Sequence, residues 1–262
     1  MSSFRVVIPA RYGSSRLPGK PLLPICGKPM IVHVCERALE TGAEEIIVAV
    51  DDERIRAALS GLPVQTMLTR TDHASGTERL LEVAQRLAWS DDQLIVNLQG
   101  DEPLLDPALI RRLAHTFAEQ DGAEVATPAA PIYSVGELFD PNVVKVVLGR
   151  ANYALYFSRA PIPWYRDGFQ REPCTFPNGF RHLRHIGIYA YTAGFLRSYA
   201  AWARSPLEDV ECLEQLRILW HGERIYVLPI ENAPEAGVDT EADLQRVERR
   251  LQKQRQSRAG TE

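Results

Sequence analysis

The chain has 262 residues, 45% hydrophobic and 24% charged, with a formal net charge of −4 at pH 7. That length buries a sizeable core, as one large domain or two small ones, and the mild acidity excludes a general nucleic-acid binder. No window approaches the roughly 20 apolar residues of a membrane span, and Cys26, Cys35, Cys174 and Cys212 lack CxxC or metal-finger spacing, so a cytoplasmic protein with buried or inert thiols and no membrane partner is expected.

Phe4 to Pro9 is a β-branched apolar run that reads as a buried strand, and the loop after it carries Arg11, Arg16 and Lys20 among small residues. Cations on a loop at the carboxyl end of a strand suit a triphosphate, because ligands of open α/β sheets bind in that crevice. The loop is not a P-loop: five residues separate Gly13 from Gly19, and Pro21 stands where the magnesium-holding Ser/Thr belongs. Met30 to Leu39 has helical spacing. Strands at 45–50, 64–68 and 93–98 then alternate with helices at 53–59 and 77–88, and Asp106-Pro107 reads as the N-cap and first position of the next helix before a strand at 123–130. That order predicts an α/β protein with a mostly parallel, doubly wound sheet.

From 134 to 191 the rhythm changes to apolar runs without helices between them, at 143–148, 153–157 and 185–191, which predicts a smaller antiparallel lobe. Residues 161–178, rich in Pro, Gly, Trp and charge, read as a long loop lining or covering a site. A helix over 210–220 stopped by Gly222, a strand over 224–230 and a closing helix over 240–253 complete the chain, and 251–262 reads as a flexible polar tail. The domain expectation is a nucleotide-binding unit from 1–132 and 205–250, with 133–204 as the second lobe.

Asp101 follows a strand through Gln99-Gly100, the glycine giving a ligand access to the backbone, and Asp239 precedes the last helix; two carboxylates from distant loops suit magnesium. Asp239 reads equally as an N-cap completed by Thr240 and Asp243, Asp101 as a turn residue before Pro103, and Glu102 as an alternative ligand. Ser75-Gly76-Thr77 offers open N–H groups for a base or phosphate, or a helix cap. Arg159 would suit an acidic substrate through its planar fork, while by spacing alone it and His185, beside Tyr189, are equally packing residues. His33 reads as core or surface. Glu214 and Gln215 could bind a polyhydroxylated ligand, or belong to a solvated helix with a Glu214–Arg217 pair.

In order, Pro-Ala-Arg-Tyr…Arg-Leu-Pro-Gly-Lys-Pro-Leu (9–22), Asp-His-Ala-Ser-Gly-Thr-Glu-Arg (72–79), Gln-Gly-Asp-Glu-Pro (99–103), Pro-Asn-Val-Val-Lys-Val-Val (141–147), Ala-Leu-Tyr-Phe-Ser-Arg-Ala-Pro-Ile-Pro-Trp (154–164), Leu-Glu-Gln-Leu-Arg (213–217) and Gly-Val-Asp-Thr (237–240) resemble the 3-deoxy-manno-octulosonate (Kdo) cytidylyltransferases. The match runs from Val6 to about Val247. The resemblance implies a nucleotide-diphospho-sugar transferase-like fold and transfer of CMP from CTP to the anomeric hydroxyl of Kdo, with magnesium, for lipopolysaccharide biosynthesis. It further implies Arg11 and Lys20 as the triphosphate pair, and Asp101 and Asp239 as metal ligands. Pro9, Ala10, Tyr12, Arg70, Ser75, Gly76 and Thr77 fall where the family holds the nucleotide; Gln99, Arg159, His185, Tyr189, Glu214 and Gln215 match its sugar-acid pocket. A homodimer through the second lobe is also implied. Residues 161–179 follow no family motif beyond Pro-Ile-Pro-Trp, which leaves room for a modified octulosonate; a nonulosonate enzyme and a catalytically silent sugar-nucleotide sensor are the rivals.

Overall fold

A computed structural model of the chain describes residues 3–13, 17–73, 75–120 and 122–259; Arg16 of the predicted cationic loop lies outside them. β1 (Arg5–Ala10) leads through that loop and a 3-10 turn at Lys20–Leu22 into a small hairpin, β2 (Pro24–Ile25) and β3 (Lys28–Pro29). Then α1 (Met30–Leu39), β4 (Glu45–Val50), α2 (Glu53–Ala58), β5 (Gln65–Leu68), α3 (Gly76–Arg86) and β6 (Leu94–Asn97) alternate as expected. α4 (Pro107–Ala118) starts where the sequence predicts, with the Asp106 side chain accepting from the Ala108 N–H at 2.8 Å and proline at the first position. β7 (Val125–Pro131), α5 (Val135–Phe139), β8 (Lys145–Leu148), β9 (Ala154–Ser158), β10 (Leu183–His185) and β11 (Tyr189–Thr192) follow. α6 (Ala193–Ala201), α7 (Pro206–Glu211), α8 (Gln215–Trp220), β12 (Ile225–Pro229) and α9 (Glu241–Ala259) finish the chain.

All strands except the hairpin join one sheet in the order β5-β4-β1-β6-β11-β7-β10-β8-β9, with β12 beside β7. β5, β4, β1 and β6 are mutually parallel, and β8 to β11 add antiparallel pairs. The expected antiparallel strands are thus continuous with the parallel part, and β11 lies at the centre of the sheet between β6 and β7. The parallel strands are apolar on both faces because both are covered. Val6 and Ile8 of β1 pack with α1, α2 and α4, while Val7 packs with α3, α6 and α8.

The path of the chain decides where a ligand can sit. It moves outward from β1 to β4 and β5, then returns to lay β6 on the other side of β1, so the crossover direction reverses between β1 and β6. Helices leave that point in opposite directions and open a crevice at the strands' carboxyl ends. Gly100 closes its floor: a Cβ there would stand 2.8 Å from the Pro9 carbonyl oxygen. The glycine therefore serves the approach of two strand ends, where the sequence reading assigns it to a ligand.

Three predicted elements change. The run 185–191 is broken into β10 and β11 by a bulge; His185 faces Ala129 of β7 but Ala190 faces Ala126. The Thr127 hydroxyl lies 3.0 and 2.8 Å from the Ile186 and Ile188 carbonyls that the bulge frees. The helix expected at 210–220 is two, separated by Cys212 at φ 52°, and α9 continues through the segment read as a flexible tail, with Leu251 buried against Ile25 and Met30. Cys35 is buried, Cys26 and Cys174 are partly buried, and Cys212 is exposed. Among the described residues no helix is long and apolar enough to cross a membrane.

Candidate active site

At the reversal between β1 and β6 lies a crevice of about 330 Å³. Pro9, Ala10, Arg11 and Lys20 line it from the first loop, Ser75 and Gly76 from the start of α3, and Gln99 and Asp101 from the end of β6. Asp239 and Glu214 reach it from later in the chain. Elements distant in sequence therefore bring together most of the predicted nucleotide and metal residues.

Lys20 is at the centre. Its ammonium donates to Asp101 Oδ2 at 2.7 Å and to Asp239 Oδ1 at 2.9 Å, so two carboxylates converge on one cation. Burial disfavours the charge of Lys20, but the two aspartates outweigh it and hold the pKa above the ordinary lysine value. The loop before α9 is seated on Asp101 itself: the Val238 N–H donates to the Asp101 carbonyl at 2.9 Å, and a Cβ on Gly237 would stand 2.8 Å from that oxygen. The N-cap reading of Asp239 is corrected. Thr240 takes that role, its hydroxyl accepting from the Asp243 N–H while the Asp243 carboxylate accepts from the Thr240 N–H. Glu102, next to Asp101, is pushed up to about 8 by burial and then by the Asp101 charge.

A second cavity of about 260 Å³ adjoins the crevice, and Gly76, Gln99 and Glu214 line both. Its wall is aromatic and polar, with Tyr189, Tyr191, Tyr199, Asn97, Thr77 and Gln215. Glu214 accepts from the Thr77 hydroxyl at 3.1 Å, and burial raises its pKa against that bond. After the αL turn at Cys212, Leu213, Glu214 and Gln215 line this cavity, with Leu213 and Gln215 buried and Glu214 exposed to it. Arg217 does not pair with Glu214; it forms a buried pair with Glu208 at 2.6 and 2.8 Å, on a helix whose Ser205–Glu208 capping box fixes its start. The solvated-helix reading of 208–217 therefore fails.

Four predicted residues, Tyr12, Arg70, Arg159 and His185, line neither cavity. Arg70 is exposed and paired with Asp72 at 2.7 and 2.9 Å. Arg159 donates to the carbonyls of Glu211 at 2.7 Å and Pro141 at 2.9 Å, and its own N–H donates to the Glu211 carboxylate at 2.9 Å, so it holds the α7–α8 turn. His185 has its Nε2 3.0 Å from the Thr127 hydroxyl, and its ring centroid 5.3 Å from that of Tyr189. Because that hydroxyl gives its one proton to a carbonyl, the ring proton is assigned to Nε2, leaving Nδ1 as an acceptor. His33 is buried, with Nε2 2.8 Å from the Ile25 carbonyl.

Burial pushes the His185 pKa down to about 3, with Arg184 adding to the effect. Its folded pKa lies below the ordinary 6.5, so the stabilisation is present above pH 6.5 and is lost as pH falls towards 3. Between pH 7 and pH 5 this single group is expected to remove about 2 kcal/mol of stability. Chemical denaturation at the two pH values should show a smaller loss for His185→Gln, and an equal loss would rule this group out.

Sequence reasoning misses Arg79, His73 and Met30 in the crevice, and Asn97, Tyr191 and Tyr199 in the second cavity. Arg79 closes the quoted 72–79 motif, and Asn97 is a polar residue inside a buried strand; both are visible signals. Tyr191 lies in an apolar strand and Tyr199 in a helix, and neither carries a distinguishing mark.

A crevice at a sheet reversal that sets Arg11, Lys20 and Arg79 among Asp101, Asp239 and Glu214, and opens into a polar aromatic cavity, fits a nucleotidyltransferase of the α/β class. The chain matches the family described as Cytidylyltransferase over residues 5–225. A 3-deoxy-manno-octulosonate cytidylyltransferase of Methylococcus capsulatus is 62% identical over 250 residues, covering 95% of this chain and 97% of the relative. One of Tolumonas auensis is 57% identical over 249 residues, covering 95% and 97%. The solved structure of CMP:2-keto-3-deoxy-manno-octonic acid synthetase complexed with CTP is similar at TM-score 0.87 and 42% identity, covering 97% of this chain and all of that one. This chain belongs to the cytidylyltransferase family, and within it to the 3-deoxy-manno-octulosonate cytidylyltransferases.

Proposed function

We propose that the protein transfers CMP from CTP to the anomeric hydroxyl of Kdo, releasing pyrophosphate and supplying CMP-Kdo for lipopolysaccharide biosynthesis in the cytoplasm. The observation that carries this reading is the contiguity of the two cavities across Gly76, Gln99 and Glu214, which lets a nucleotide and a sugar acid meet at one point. Arg11 and Lys20 face the phosphates, and their charge opposes the charge that builds on the oxygen bridging to pyrophosphate. The first loop from Pro9 to Tyr12 and the start of α3 from Ser75 to Thr77 flank the nucleotide. Tyr189, Gln99, Glu214 and Gln215 offer hydroxyl, amide and carboxyl groups to a polyhydroxylated ligand, and this second cavity, walled largely by β11, α6 and α8, is the sugar side.

The donor set fits magnesium. Two hard carboxylates already bracket one cation, and among the described residues no group of three or more His, Cys, Asp or Glu forms a complete cage, so phosphate oxygens and water would fill the remaining positions. Asp101 and Asp239 would hold the ion. When bound it would polarise phosphate oxygens as a Lewis acid. Arg159 acts on the sugar side by holding the turn that carries Glu214, and His185 by packing its ring against that of Tyr189.

Pyrophosphate release from CTP, Kdo and magnesium tests the reading. Release with Kdo is expected; release only with a nonulosonate, or with no sugar acid at all, overturns it.

The second lobe also supports a homodimer. Tyr133 is 68% exposed, Trp164 52% and Phe180 46%, around a small aromatic core of Phe169, Tyr165 and Phe176. Exposed aromatics are a feature of interfaces. Light scattering is expected to give a dimer, and Trp164→Asp a monomer with unchanged circular dichroism; a monomeric parent protein would refute the proposal.

A further inference from the structure

Asp51 follows β4 and belongs to none of the family motifs. Its side chain is only 10% exposed, and both carboxylate oxygens are occupied. Oδ1 accepts from the Tyr12 backbone N–H at 2.8 Å, and Oδ2 from Arg79 Nη2 at 3.2 Å. Tyr12 follows Arg11 directly, and its carbonyl accepts from the N–H of Gly19 at 3.2 Å, the residue before Lys20. One residue is thereby fixed at both its amide groups, and the two cations of the crevice stand on either side of it. The Tyr12 ring is held as well, with the Arg54 guanidinium 3.6 Å from its centroid.

The other half of the brace faces the ligand. Arg79 is 3% exposed and lines the same crevice as Arg11 and Lys20. Its Nη1 donates to the Thr69 hydroxyl and, at 3.2 Å, to the Arg70 carbonyl, while Thr69 is bonded to the Val50 carbonyl at 3.0 Å. Asp51 thus connects the first loop to α3 through the carboxyl ends of β4 and β5.

A buried ion pair is poor evidence for stability, since its desolvation rivals its attraction and apolar replacements often do as well. The Asp51 carboxylate serves a guanidinium and a backbone N–H at once, one oxygen on each, and the guanidinium lines the crevice. We propose that Asp51 is a positioning residue of the nucleotide site. Its carboxylate sets the loop that carries Arg11 and Lys20 and holds the Arg79 guanidinium against the crevice. The inference rests on the reading of Arg11 and Lys20 as the triphosphate-binding pair.

Three variants test it: Asp51→Asn, which keeps an acceptor for the Tyr12 N–H but loses the charge facing Arg79; Asp51→Ala, which loses both; and Arg79→Met. CTP binding is read by calorimetry without Kdo, and KM is determined for each substrate. Misplacement of a loop by about 1 Å can cost roughly 100-fold, so Asp51→Ala is expected to lower kcat/KM for CTP by about that factor and Asp51→Asn by roughly tenfold. KM for Kdo should stay within about twofold, because a merely structural defect would move both substrates. The double variant Asp51→Asn/Arg79→Met should bind CTP no worse than the weaker single one, since members of one network do not add. If Asp51→Ala fails to fold, the isosteric Asp51→Asn carries the test. CTP affinity in Asp51→Asn within about twofold of the parent, or an equal rise in KM for both substrates, overturns the proposal. Lys20→Met is the control: if it loses CTP while Asp51→Asn does not, this inference alone fails, and if neither loses CTP, the triphosphate reading fails with it.

Discussion

Asp101→Asn and Asp239→Asn are each expected to lower turnover by roughly 1000-fold or more, comparable to the loss of a principal electrostatic group in other active sites. The two carboxylates come from loops far apart in the chain yet share one ammonium, at 2.7 and 2.9 Å. An amide preserves the volume and removes the charge, so a site of two carboxylates becomes a site of one. The fold should not suffer. The Asp101 and Asp239 side chains are 34% and 53% exposed, and partly exposed ion pairs contribute little to stability. The backbone bond from Val238 to Asp101 is untouched by either change. Pyrophosphate release at saturating magnesium, with a thermal melt alongside, separates the two effects. A near-normal rate in either variant would remove that residue from the catalytic set.

Lys20→Met is expected to cost roughly 100- to 1000-fold in kcat/KM for CTP, with the loss divided between weaker CTP binding and a lower kcat. At an effective dielectric near 20, opposite charges about 4 Å apart attract by roughly 4 kcal/mol before desolvation, enough for a factor of this size. The split between kcat and KM is informative. A pure rise in KM would mean that Lys20 holds CTP equally in the ground and transition states, and would defeat its assignment to the developing pyrophosphate charge. Lys20→Arg should not restore the rate, because a planar fork cannot place one compact charge between Asp101 and Asp239. Removing Lys20 also leaves two carboxylates facing one another across its former position, so metal binding to the nucleotide-free protein should tighten even as turnover falls.

Much of this site is legible in the order of the amino acids. The small-residue loop with Arg11 and Lys20 sits at the carboxyl end of a strand, as its position in the chain predicts, and Asp106-Pro107 starts α4 as its local chemistry requires. These signals are local: strand period, capping and loop composition act over a few residues. Asp239 is ambiguous in the sequence because its immediate neighbours, Thr240 and Asp243, do form a cap; only the packing of Gly237 on Asp101 turns the Asp239 carboxylate to Lys20. The 185–191 run looks like one strand because a bulge changes register without changing composition, and it is Thr127, on another strand, that occupies the freed carbonyls.

A cationic loop after the first strand, a spacing unlike that of a P-loop and the ordered motifs that tie the chain to its family can all be read from the amino-acid order. Chain connectivity and hydrophobic period suffice for that. Three-dimensional packing is what sets Lys20 between Asp101 and Asp239, joins Asp51 to Tyr12 and Arg79, and makes Arg159 hold a turn instead of lining a cavity. Those outcomes depend on which strand ends the sheet order brings together and on which buried charges find partners there, and both are contacts between residues far apart in the chain.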